Sequence, residues 1–108
     1  MDEALQRAKR RLDSLDLYPG PVRIRRVRIV VTPWLFRLPW FHRFEGYATH
    51  FVIFLRSPDV GDDLVMHELC HVWQMQHKPF AMPLSYLYRG YERNPYEAEA
   101  RLAVERTR

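Results

Sequence analysis

The segment His67-Glu68-Leu69-Cys70-His71 constrains this chain more than any other stretch. It reads H-E-x-x-H within a run that also carries Leu64, Val65, Met66, Val72, Trp73 and Met75. Gly61-Asp62-Asp63 ahead of it supplies a turn and an N-cap, so a helix is predicted from there to near His77, before Pro79. Positions i and i+4 of a helix share a face, so His67 and His71 can offer ring nitrogens to one metal ion. Glu68 projects one residue around from His67, near enough to handle a water on that ion. A helix this apolar is packed on more than one side, and histidines in it are either satisfied core residues or ligands. Five His and seven Glu in 108 residues allow the pattern to arise by chance. Two imidazoles one turn apart, flanking a glutamate, favour the metal.

The length fits one domain, residues 1–108, with enough chain for one core. Cys70 is the only cysteine, which excludes an internal disulfide and a Cys-based zinc ribbon; on an apolar helix it reads as a small buried hydrophobe. No apolar run approaches the ~18–20 residues that span a bilayer, so no transmembrane segment is expected. Residues 1–7 are acidic and amphipathic and lack a signal peptide's apolar segment, so the expected location is cytoplasmic. The net charge of +4 is carried by fifteen Arg and two Lys. Arg23, Arg25, Arg26 and Arg28 alternate with β-branched residues and read as the solvated face of a strand. Nucleic-acid binding through such a stripe, without a recognised module, is unfavoured.

Leu5, Ala8, Leu12 and Leu15 fall at helical spacings and predict an amphipathic helix over 2–16. Tyr18-Pro19-Gly20-Pro21 ends it. A strand is predicted over Val22–Thr32, with a phase switch at Arg25-Arg26 that points to a β-bulge or two short strands. Residues 33–44 hold two prolines and seven large apolar residues, and read as a loop over the core, a cleft wall or a contact surface. Glu45–Arg56 predicts a strand or hairpin, with Phe51–Leu55 as its buried run. Met82–Tyr91 predicts a short helix ending at Gly90. Asn94-Pro95 opens a last helix, with Asn as N-cap and Pro at N1. Helix, strands, metal helix and final helix make an α+β domain.

A catalytic zinc typically takes three protein ligands and keeps a position for water. The third must come from outside the motif, and Glu97 and Glu99 on the last helix are the candidates. With Tyr96, Ala100, Ala103 and Val104 as the core face, the two glutamates flank it on opposite sides, so the wheel does not separate them. Glu97 also stands at capping-box spacing from Asn94 and has the alternative of accepting the N-cap amide.

His67-Glu68-x-x-His71 followed by Glu97-x-x-Ala100 resembles the gluzincin metallopeptidases. The strand pair before the metal helix and the wording N-P-Y-E-x-E-A look most like the minigluzincins, the minimal single-domain members of that group. The likeness covers about residues 44–106. It implies a minimal zincin-like domain with a small mixed or antiparallel sheet, Zn²⁺ as cofactor, and Glu97 as the third ligand. It also implies a substrate-binding edge strand above the metal helix, for which Gly46, Tyr47, Ala48 and Thr49 are the local candidates. The family pattern often carries Asp four residues after the glutamate, as partner to a ligating histidine. This chain has Arg101, which cannot accept a hydrogen bond, so the histidine must find another partner. Loss of such a partner typically costs about 10–100-fold in metal affinity or activity.

The activity expected is zinc-dependent hydrolysis of peptide bonds in a peptide or protein substrate, with Glu68 as general base. Donors to the developing oxyanion are sought among Tyr91, Tyr96 and His77, with Tyr86 and Tyr88 also in range. The competing expectations are a metal-binding module without useful catalysis, and a basic module that contacts nucleic acid or membrane through the arginine strand and aromatic loop.

Overall fold

Leu5, Ala8 and Leu12 recur every three or four residues, and all three are buried along one face of helix α1, Glu3–Asp13. This computed structural model describes residues 3–108. The expected helix start at Asp2 lies outside them. The helix stops at Asp13, earlier than Asp16, because Asp13 turns its carboxylate to the next segment: Oδ1 accepts from Val22 N at 2.9 Å and Oδ2 from Lys9 Nζ at 2.6 Å.

The strand expected over Val22–Thr32 is a strand, β1, only at Arg28–Val31. A tight turn at Arg25-Arg26, closed by Val27 N donating to Ile24 O at 3.0 Å, replaces the expected bulge. That turn resolves the phase switch, since it lets Val22 and Val27 both reach the core. The four arginines stay exposed, as read from the sequence.

Residues 33–44 form turns and a 3-10 segment at Leu35–Arg37. Their aromatic rings divide by side. Phe36 is buried, Phe41 meets Phe36 and Tyr47 edge-on, and Phe44 packs on Tyr91. Trp34 and Trp40 point outward. Arg56 ties the loop down by donating to the carbonyls of His42 and Phe44.

The expected hairpin forms as β2, Gly46–Ala48, antiparallel to β3, Val52–Leu55. β3 also pairs with β1 in parallel, giving the mixed order β1-β3-β2. β2 is therefore an edge strand. Arg56 N donates to Glu45 O and Thr49 N to Val52 O. Bonding alternates along an antiparallel pair, so Gly46 and Ala48 turn their main-chain groups away from β3.

Helix α2, Asp62–His77, carries the H-E-x-x-H motif and is buried on most of its circumference, from Val65 to Met75. It packs against α1, α4 and β2. Its N-cap is Gly61, without a side-chain cap. Asp62 and Asp63 instead bind Arg7 and Arg11 of α1, at 2.7 and 2.9 Å. Helix α3, Ala81–Arg89, is followed by Gly90 at φ 72°, a left-handed position that favours glycine. Helix α4, Pro95–Thr107, opens as expected, with Asn94 Oδ1 accepting from Tyr96 N at 2.8 Å. The result is a small α+β domain with a mixed three-stranded sheet. Among the described residues, no helix is long and apolar enough to cross a membrane.

Candidate metal centre

Helix periodicity stacks His67 over His71, with ring centroids 4.8 Å apart. The first turn of α4 crosses in front of them. His67 Nε2 lies 2.6 Å from Glu97 Oε1, and His71 Nε2 lies 2.9 Å from Glu97 Oε2. One ligand atom from each of the three residues lies within 4.8 Å of the others, so the group could hold a metal ion. Glu97 is not spent on the helix cap, because Asn94 N is bonded to Tyr91 O instead. Glu99 faces elsewhere, accepting from Tyr18 Oη at 2.6 Å and Gln74 Nε2 at 3.1 Å.

The donor set can be tested on the proton positions it demands. Gln74 Nε2 donates to Tyr96 O and Glu99 Oε1, both acceptors only, so Gln74 Oε1 must face His71. It accepts from His71 Nδ1 at 2.8 Å. The proton is thus held on Nδ1, and in the neutral ring Nε2 keeps its lone pair toward Glu97. This is the partner that Arg101 cannot be, and sequence reasoning missed it. The available signal was a glutamine three residues beyond His71, between Trp73 and Met75 of the apolar helix. Two imidazoles and a buried carboxylate with such support fit a divalent metal ion.

Charge at the site follows the same contacts. Burial alone would raise the Glu97 pKa, but hydrogen bonds from His67 and His71 outweigh it and hold the carboxyl well below its usual range. Burial works against a proton on His71, yet the hydrogen bond and charge of Glu97 raise its pKa overall. Glu68 is only 6% exposed, and burial lifts its pKa despite the neighbouring imidazoles.

Glu68 lies beside the edge strand. A Cβ on Gly46 would sit 3.1 Å from Glu68 Cγ, so only glycine lets β2 approach this closely. Gly46, Tyr47 and Ala48 form one wall of a cavity of about 440 Å³ that reaches Glu68, His71 and Glu97. Of the four expected edge residues, Gly46 and Ala48 present their main chain outward. Tyr47 has its main chain paired with Phe54 and offers its side chain. Thr49 closes the hairpin, bonded to Val52 through both N and Oγ1, and does not line the cavity.

The expected donors separate as clearly. Tyr86 and Tyr91 line the cavity. Tyr86 Oη donates to Glu97 Oε2 at 2.8 Å. Burial first, and then Glu97, push the Tyr91 phenol up to about 12, so both hydroxyls keep their protons. His77 stacks on Tyr18 at 5.1 Å and does not line the cavity. Tyr96 is likewise outside it and Tyr88 is exposed.

No family model matches the chain, and no match is found among curated proteins or solved structures. What the centre can do chemically follows from its own donors, its buried carboxylate and its open wall.

Proposed function

We propose that this domain is a zinc-dependent peptide hydrolase acting internally on peptide or protein chains. The convergence of His67, His71 and Glu97 beside a separate buried carboxylate, Glu68, carries the reading. The gluzincin resemblance supports it, because that likeness names the same three ligands. A bound zinc ion would lower the pKa of a water toward ~7 and polarise the peptide carbonyl.

The protein's own groups supply the rest. Glu68 takes the proton from the attacking water and passes it to the leaving amine, and its raised proton affinity suits both transfers. Tyr86 and Tyr91 keep their protons at neutral pH, and a hydroxyl that turns from Glu97 to the developing oxyanion would supply the donor. An extended peptide pairs with the outward groups of Gly46 and Ala48 on β2. A cytoplasmic setting suits a chain whose one cysteine, Cys70, is free and buried.

The test is Glu68→Gln. Purified wild type and variant should hold the same stoichiometric zinc by elemental analysis. Only the wild type should cleave a peptide library followed by mass spectrometry. A zinc-replete wild type that cleaves nothing would overturn the proposal in favour of an inert metal module.

A further inference from the structure

The cavity above α2 has a second half. A neighbouring cavity of about 480 Å³ runs past His67, bordered by Arg43, Arg101 and Arg108. Arg43, Phe44, Gly46, Glu68 and Tyr91 line both halves, so the two meet at the metal centre. The first half is lined by Met82, Pro83 and Leu87, and also by Arg43. The second is charged, but its charges are not equivalent. Asp63 is taken by Arg11 and Arg108, each at 2.9 Å, and Glu45 faces Arg56 at 3.8 Å.

Arg43 and Arg101 are exposed and belong to none of the ion pairs among the described residues. Arg101 has Glu105 four residues on, also bordering this cavity, yet makes no pair with it. An arginine preceding the acid is the weaker order for such a pair. Its guanidinium lies instead 6.0 Å from the Tyr91 ring centre, and that of Arg43 lies 5.3 Å from the same ring. Arg43 also lies 5.0 Å from the Phe44 ring, so both cations rest on aromatic faces beside the centre without a carboxylate partner. Arg101 also stands one helical turn beyond Glu97, which brings it alongside the ligands. A guanidinium fork matches a carboxylate in shape and charge.

We infer that Arg43 and Arg101 form a carboxylate-binding subsite on the His67 side of the scissile bond, seating either the C-terminal carboxylate of a substrate or an acidic side chain. The inference rests on the peptide-hydrolase reading and adds specificity to it.

Calorimetry on the zinc-loaded Glu68→Gln protein tests it without turnover. The probes are N-acetylated tetrapeptides of one sequence, ending in Gln or Glu, each as free acid and as amide. At least one carboxylate should tighten binding about tenfold or more over the neutral peptide. Arg43→Gln and Arg101→Gln should each remove most of that gain and leave the neutral peptide's affinity unchanged. A gain from Glu assigns the subsite to side chains, in keeping with internal cleavage, and one from the free acid assigns it to chain ends and moves the expected cleavage to bonds near the C-terminus. No gain, or a gain that survives both substitutions because the carboxylate binds the metal instead, overturns the subsite. Binding rather than cleavage is read, so a wild type that hydrolyses nothing sinks the enzyme reading while this result still stands or falls by itself.

Discussion

His71 Nδ1 donates to Gln74 Oε1 at 2.8 Å, and this bond decides which nitrogen of His71 faces Glu97. Gln74 is itself held, through Nε2, by Tyr96 O and by Glu99, which Tyr18 also anchors. The chain of contacts runs from the loop after α1 to a ligand ring. Gln74→Met keeps the shape and removes the acceptor. Metal affinity, measured by competition with a chromophoric chelator, should fall about 10–100-fold. Glu99→Gln keeps an acceptor for both neighbours and should cost much less. Equal affinity in Gln74→Met and wild type would show that the ring needs no such support.

Metal loading should raise the melting temperature by an amount that grows with pH. Burial disfavours a proton on His71, but Glu97, Glu68 and Gln74 together outweigh it and raise the pKa above the ordinary 6.5, and a cation must displace that proton. The metal-free protein has the opposite sign. A group whose folded pKa is raised contributes stability that is full below its unfolded value and lost as pH rises through the folded one. Melting curves with zinc and with a chelator, taken from about pH 5.5 to 9, should therefore diverge as pH rises. Parallel curves would contradict the coupling of His71 to Glu97.

Gly46→Ala should damage chemistry more than folding. The added methyl would meet Glu68 Cγ at 3.1 Å, and Phe54 O only at an ordinary 3.4 Å. Glu68 has little room to retreat, being 6% exposed. A displacement of a few tenths of an ångström at the general base should lower kcat about tenfold, with zinc content unchanged. Unaltered kcat in this variant would place Glu68 outside the reaction.

Much of this was legible before any coordinates. Apolar content marked α2 as buried, and helical spacing alone put His67 and His71 on one face. Asn94-Pro95 marked the start of α4 to the residue. The choice between Glu97 and Glu99 was not legible from the wheel, because both flank the same core face. What distinguishes them lies across the fold: α2 presents imidazoles to one, while Tyr18 and Gln74 occupy the other. Strand β1 was overread because alternation in Val22–Val31 looks the same whether the chain extends or turns at Arg25-Arg26. Arg43 gave no signal, since its place beside Tyr91 depends on how the aromatic loop folds back.

The seam between α1 and α2 should loosen in acid, and Asp63 is the place to test it. Its Oδ1 accepts from Arg11 and its Oδ2 from Arg108, both at 2.9 Å, and those two partners hold its pKa below the ordinary 3.8. A depressed carboxyl contributes stability above its unfolded pKa and loses it as pH falls through the folded value. The side chain is 46% exposed, so solvent screens the pairs and the contribution is small. Asp63→Asn should lower the melting temperature at pH 7 by on the order of 2–4 °C. The gap to wild type should close as pH falls from 3.8 through the lowered folded-state pKa, once the wild-type carboxyl is protonated too. A gap of the same size before and after that protonation would mean that Asp63 acts through shape or helix capping rather than through its charge.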